Sequence, residues 1–360
     1  MTGLDQLPTP ASRHALALLR FPDPRTDWVV VTVATLDAPA TDLGPRIAAL
    51  AAHVPVVGAR LSDETWVQGQ PPTPIQVDGD PLGHPELDRA FDLSVEPPLR
   101  VLLGSGGRRL AIVGHHAAFD GLALVAVLAA LTGGPQPSPV ASPPPGSPGS
   151  KLPLLARLAR PADRVAPTPG VWPGDAYATA EISVSGRDVT GRLAEACAAA
   201  AGEHNARLGE PWRKVGITVA VGGPAGVGNV ASYRRIDLPA GAPVVAPVQA
   251  ALRSADEPGE QVSAPKLVMR ALEPVVERFS DSILVSNLGR HAVPGVSRLD
   301  FFPVARGRSA VCFAAAGIVD RGTTLTVRAR DLSPGEARRM LAGAVARFED
   351  ATRTDPATTP

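Results

Sequence analysis

Residues 135–150, PQPSPVASPPPGSPGS, hold almost no apolar side chain except Val140 and Ala141. Such a run cannot bury enough surface to fold alone and reads as an extended, polyproline-like linker. It splits the 360-residue chain into two stretches that each alternate strand and helix signals. A second Pro-rich patch at 161–173 keeps the crossover irregular. The expected organisation is therefore an N-terminal lobe at 1–134, a crossover at 135–175 and a C-terminal lobe at 176–360, an α/β chain with mixed sheets.

In the first stretch, residues 28–35 (WVVVTVAT) form a β-branched run that predicts a strand. Residues 43–53 space Ile47, Leu50 and Ala51 as a helix face. Residues 99–103 and 109–113 predict two strands joined by the glycine-rich turn at 104–107. The second runs straight into His115-His116. After Asp120, GLALVAVLAALTGG predicts an apolar helix stopped by Gly133-Gly134. Beyond the linker, strands are expected at 180–185, 214–221, 232–238, 282–286, 310–319 and 323–329. Helices are expected at 188–207, 264–279 and 334–350, the last with Ser333 as cap and Pro334 at its first position.

Composition narrows the function. Lys+Arg and Asp+Glu number 35 each, and no basic stripe is interleaved with aromatics, so nucleic acid is not an expected partner. The longest uncharged apolar run, 122–131, is too short to span a bilayer. The N-terminus lacks a charged region followed by an apolar one. A cytoplasmic protein is expected. Cys197 and Cys312 lack a CxxC partner or a neighbouring histidine, so they read as buried thiols rather than zinc or redox ligands.

Three other clusters fail as sites. The glycines at 222–228 follow a strand, but a polar strand comes next where a phosphate loop needs a helix. The 104–107 glycines fail likewise, and no GxSxG elbow is present. Asp78, Asp80, His84, Glu86 and Asp88 are interrupted by Pro81 and Pro85 and read as a solvated loop.

The chemistry concentrates in His115-His116-Ala-Ala-Phe-Asp120-Gly121. A strand-to-helix turn holds side chains rigidly while letting them face a cleft. Imidazole is the side chain suited to proton transfer near neutrality. Asp120 can cap the helix or pair with a cation, and Gly121 permits close approach.

This run resembles the HHxxxDG signature of the coenzyme-A-dependent acyltransferase superfamily, which includes chloramphenicol acetyltransferase, nonribosomal-peptide condensation domains and polyketide-associated acyltransferases. Residues 91–100 (FDLSVEPPLR) resemble the segment before the motif, Val227-Gly-Asn229 the GN segment of the second lobe, and Ser286-Asn-Leu-Gly289 the SNLG strand end of the polyketide-associated branch. The resemblance spans about residues 10–350. The chain departs from the pattern by being short and by lacking a DFGWG-type motif, of which Asp300-Phe-Phe-Pro303 is a faint echo.

The resemblance implies a two-lobed chloramphenicol-acetyltransferase-like fold with a tunnel between the lobes. It implies His116 as general base, His115 holding the turn, and Asp120 in a structural pairing with an arginine from Arg234, Arg235, Arg290 and Arg328. Ser286 or Asn287 would face the substrate and its developing oxyanion. The acyl donor would be acyl-coenzyme A or an acyl-phosphopantetheine carrier protein, bound as substrate with no resident cofactor or metal. The acceptor would be a small amine or hydroxyl compound in secondary metabolism or lipid modification. The competing expectation is a catalytically silent condensation-like domain that binds a carrier protein or biosynthetic partner; a third keeps His116 but turns the reaction to cyclisation or thioester hydrolysis.

Overall fold

A computed structural model describes residues 7–21, 26–140, 157–172, 174–224, 226–254, 280–307 and 310–353. The helix expected at 264–279 lies outside these residues, as do 141–156 of the linker region.

The N-terminal half builds a small three-stranded sheet of β1 (Thr9–Pro10), β3 (Ala59–Ser62) and β4 (Thr65–Gln68), ordered β1-β4-β3. Its main sheet contains β2 (Val29–Leu36), β5 (Ile75–Val77), β6 (Leu99–Gly104) and β7 (Arg109–His115). Helices α1 (Arg13–Leu19), α2 (Leu43–His53) and α3 (Gly121–Leu131) accompany them. In the C-terminal half, β8 (Asp175–Ile182), β9 (Lys214–Val221), β10 (Ser232–Pro239), β11 (Ile283–His291), β13 (Val311–Ile318) and β14 (Thr323–Arg330) form one sheet. Its order is β10-β9-β11-β13-β14-β8. Helices α4 (Val189–Arg207), α5 (Val245–Arg253) and α6 (Pro334–Arg353) belong to this half, and α4 packs on α6.

One strand crosses over. β12 (Val296–Phe302) pairs antiparallel with β2, Phe301 opposite Thr32, and completes the N-terminal sheet as β12-β2-β7-β6-β5. Residues 296–302 of the expected C-terminal lobe thus sit in the N-terminal sheet. The residues of β12 explain why they can. Leu299 and Phe301 enter the core formed with α2 and α3, while Phe302 packs with Val31 and Val113 on the other face. Asp300 is completely buried, yet Thr179 donates to it at 2.6 Å and Arg298 at 3.2 Å, so its charge is met.

This crossover seals the two halves together. Phe313 and Ala315 of β13 face a core with Leu193 and Phe348, whereas Ala314 and Ala316 join the core holding Ile47, Leu128 and Phe301. A strand covered on both faces needs no polar alternation, which accounts for the unbroken apolar run in β13. Most expected elements appear with shifted ends. Additional to them are α1, α5, β12 and the short strands β1, β3, β4 and β5.

Candidate functional site

β7 runs antiparallel between β2 and β6 and ends at His115. A tight turn follows, with Ala118 and Phe119 N–H both donating to the His115 carbonyl at 2.9 and 3.1 Å. The His116 N–H donates to Trp28 O at 2.7 Å, which ties the turn to the start of β2. Trp28 has φ of 51°, an uncommon left-handed value for a bulky residue, and its ring stacks on the His116 imidazole at 6.3 Å. Asp120 then caps α3, its Oδ1 accepting the Ala123 N–H at 2.9 Å. Gly121 is required by contact: a Cβ there would lie 2.7 Å from Phe301 Cζ and 3.0 Å from Leu288 Cδ2.

His116 is 3% exposed. Its Nδ1 lies 2.8 Å from Phe119 O, and its Nε2 lies 2.7 Å from the Tyr233 hydroxyl. A carbonyl only accepts, so Nδ1 carries the proton and Nε2 the lone pair. Burial lowers the His116 pKa to about 4, against the Phe119 bond that raises it. The imidazole is therefore neutral at pH 7. His115 is also neutral: burial, followed by His116 and Arg100, lowers it to about 3. Its Nδ1 accepts the Ala117 N–H at 3.1 Å and its ring meets Phe91 edge-on at 5.8 Å.

The opposite half closes the site from the GN segment. Val230 N–H donates to Asp120 Oδ2 at 3.0 Å, Asp120 N–H donates to Gly228 O at 3.1 Å, and the Asn229 amide donates to His116 O. Val140 of the linker pairs with Val227 at 2.8 Å, so the first residues of the crossover are pinned to this segment.

This layered arrangement recurs in known structures. No family profile and no curated protein matches the chain. Solved structures do match across nearly its whole length. The first condensation domain of the CDA synthetase superposes with a TM-score of 0.57 at 16% identity, covering 97% of this chain and 96% of that one. The epimerization domain of tyrocidine synthetase B gives 0.55 at 13%, covering 98% and 99%. The condensation domain of the monacolin K polyketide synthase MokA gives 0.53 at 14%, covering 96% and 97%. The chain has the condensation-domain fold.

Within this condensation fold, the expected arginine partner of Asp120 is replaced by backbone. Among the described residues the Asp120 carboxylate is met by N–H groups, a geometry that supplies two fixed donors without a second buried charge. The four candidate arginines are placed elsewhere. Arg234 contacts Ser232 and Tyr233 O, Arg235 binds Asp237 and Asp281, and Arg290 reaches Thr323. Arg328 is buried against Asp175, Asp88 and the Val29 carbonyl.

Ser286 is buried in β11. Asn287 stands at a register shift in that strand. Its amide donates to Thr190 Oγ1 at 3.0 Å and its oxygen accepts the Gly289 N–H at 3.1 Å. Neither residue hydrogen-bonds His116. Both cysteines are free and buried, and burial pushes the Cys312 thiol up to about 12. Among the described residues no cluster could hold a metal, and no helix is long and apolar enough to cross a membrane.

Two site residues escaped the sequence reading. Tyr233 lies 117 positions from His116; the polar strand after the GN segment was its only signal. His14 of α1 has a buried Nε2 with no partner among the described residues. Burial first, then the neighbouring His116, lowers its pKa to about 4, while Asp120 opposes the shift. A lone histidine on a short helix carries no sequence signal of this kind.

Proposed function

We propose that the protein transfers an acyl group from a thioester to the amine or hydroxyl of a small acceptor, with His116 as general base. The observation that carries this reading is the hydrogen bond from His116 Nδ1 to Phe119 O at 2.8 Å, which aims a neutral, proton-free Nε2 away from the turn. The acceptor attacks the thioester carbonyl while its proton moves towards Nε2. The tetrahedral oxyanion collapses and the thiolate leaves, taking the proton back from the imidazolium. Asp120, His115 and Gly121 hold the turn and the helix start, and through them the direction of the His116 ring.

The donor is a phosphopantetheine thioester, either coenzyme A or a carrier protein, and it is a substrate rather than a resident group. Ser286 is the candidate oxyanion donor; Asn287 has one amide N–H committed to Thr190. The condensation domains this fold resembles belong to nonribosomal-peptide and polyketide synthases, which favours a carrier-bound donor and a role in secondary metabolism.

A second reading rests on one specific contact. The Tyr233 hydroxyl occupies Nε2 at 2.7 Å, as it would in a catalytically silent domain that only binds a partner. The discriminating experiment follows free-thiol release from a panel of acyl-coenzyme A and acyl-carrier thioesters with pooled amine and alcohol acceptors. Acceptor-dependent release supports transfer and names the donor class. Acceptor-independent release indicates hydrolysis or cyclisation. Background release alongside carrier binding establishes the silent domain.

A further inference from the structure

We infer that the proton-accepting group met by the acceptor is the hydroxyl of Tyr233, and that Tyr233 and His116 act as one two-membered relay. This inference rests on the acyl-transfer reading of the site and deepens it. It begins from the direction of two hydrogen bonds. Phe119 O can only accept, so His116 Nδ1 donates to it and Nε2 is left with its lone pair. The Tyr233 hydroxyl at 2.7 Å must then be the donor to Nε2. Its own oxygen lone pairs remain free to accept a hydrogen bond from a substrate N–H or O–H.

The contact itself decides which member the acceptor meets. With the Tyr233 hydroxyl seated on Nε2 at 2.7 Å, the imidazole lone pair is already taken, and the open lone pairs of the pair are those of the phenol oxygen. The tyrosine is also poorly placed to swing away. Its backbone is paired in β10 opposite Ala220 of β9, and its side chain packs on Leu284, Ala305, Ala310 and Cys312. Its ring meets His116 edge-on at 6.4 Å, and the Arg306 guanidinium, paired with Asp281 at 3.0 Å, lies 6.0 Å from the ring centre. Burial raises the phenol pKa, with Arg306 opposing, so the hydroxyl keeps its proton at neutral pH and has one to pass on.

The step balances without any added reagent. As the acceptor heteroatom bonds to the thioester carbonyl carbon, its proton passes to Tyr233 Oη. The phenol proton passes to His116 Nε2 at the same time. When the carbon–sulfur bond breaks, its electron pair leaves with sulfur, and the protons return along the same path to make the thiol. Both side chains end neutral. The reacting heteroatom would sit about 2.6–3.2 Å from Oη, further from the imidazole than a direct base allows.

Tyr233→Phe in the full chain tests this, because the ring and its packing stay while the hydroxyl goes. The expected result is a loss of roughly 10²–10³-fold in acceptor-dependent thiol release, with the thermal melt unchanged. Wild-type rates in mixtures of H₂O and D₂O should bow downwards, since two protons move in one step. If Y233F keeps or exceeds the wild-type rate, Tyr233 is a displaceable cover; the relay fails and the acyl-transfer reading survives. If Y233F folds poorly, the wild-type isotope response decides alone, and a straight line overturns the relay. Background release by the wild type would instead defeat the acyl-transfer reading and the relay with it.

Discussion

Asp120 and Val230 come from opposite halves of the chain, and the carboxylate of the first accepts the N–H of the second at 3.0 Å. The other oxygen of the same carboxylate caps α3 through Ala123. One side chain thus sets the helix start beneath His116 and holds the GN segment over it. Removing it should cost both bonds. Asp120→Ala is expected to destabilise by about 2–4 kcal/mol, a lost cap plus a stranded N–H. Asp120→Asn keeps one accepting oxygen and should lose less. Urea unfolding reads both, and an alanine variant within about 0.5 kcal/mol of wild type, the size of an ordinary surface change, would show that the carboxylate does not bridge.

The pH dependence of turnover follows from the burial of His116. A base works when unprotonated. Its pKa is lowered from 6.5 to about 4, so activity should persist through pH 5 and fall only as pH approaches about 4. Rates of acceptor-dependent thiol release between pH 4 and 8 give the profile. An acid limb centred near the ordinary histidine value would mean that His116 titrates as a solvated group, contrary to the site described above.

Stability should follow the same sign. For His115 and His116 the folded pKa lies below the unfolded value, at about 3 and about 4. Their contribution is therefore complete above about pH 6.5 and drains away as pH falls from there towards the folded values. Each can add a slope of up to about 1.4 kcal/mol per pH unit in that window. Replacing His115 by Gln should flatten the slope in denaturation curves collected from pH 7 to 4.5; an unchanged slope would mean that His115 is not held neutral.

Arg328 is a buried cation whose three guanidinium nitrogens are all engaged. Its Nε meets Asp175 at 2.6 Å, Nη1 meets Val29 O at 2.7 Å, and Nη2 lies 3.4 Å from Asp88. Burial pushes Asp175 up, but Arg328 and Arg330 overcome this and hold its carboxyl below the ordinary range. Arg328→Met leaves Asp175 without its main partner and should cost about 3–5 kcal/mol. Arg328→Lys cannot reproduce the fork and should recover only part of that. Equal stability of wild type and R328M would contradict a role for this cluster in joining β14 to β2.

How much of this was legible before folding depends on which physics each residue expresses. The strands at Val29–Leu36 and Lys214–Val221 and the helix at Leu43–His53 declare themselves through β-branched runs and helical spacing, and appear as expected. The turn at His115–Gly121 was legible because its residue types and their order are confined to a few positions. β12 was not. Its sequence, VSRLDFF, mixes a buried charge with apolar residues that face both ways, and the partners Thr179, Arg298 and Arg109 make Asp300 tolerable there. The partner of Asp120 was likewise hidden, since a backbone N–H has no letter in the sequence. Tyr233 belongs to the site solely through long-range packing.

Gly121 offers a steric check on the same turn. A methyl group there would press against Phe301 and Leu288, both in or beside the core that seals the halves. Gly121→Ala is expected to destabilise by about 1–3 kcal/mol as overpacking does, even though alanine favours helices. A stabilised variant in thermal melts would mean that β12 does not pack on the start of α3.

The central claim is that His116 is the base of an acyl transfer. The most direct measurement compares acceptor-dependent thiol release by wild type and His116→Ala, using whichever acyl-coenzyme A or acyl-carrier donor the wild type turns over. A fall of roughly 10²–10⁴-fold in the variant, with folding intact by circular dichroism, is the predicted result. Equal rates in the two proteins would contradict it.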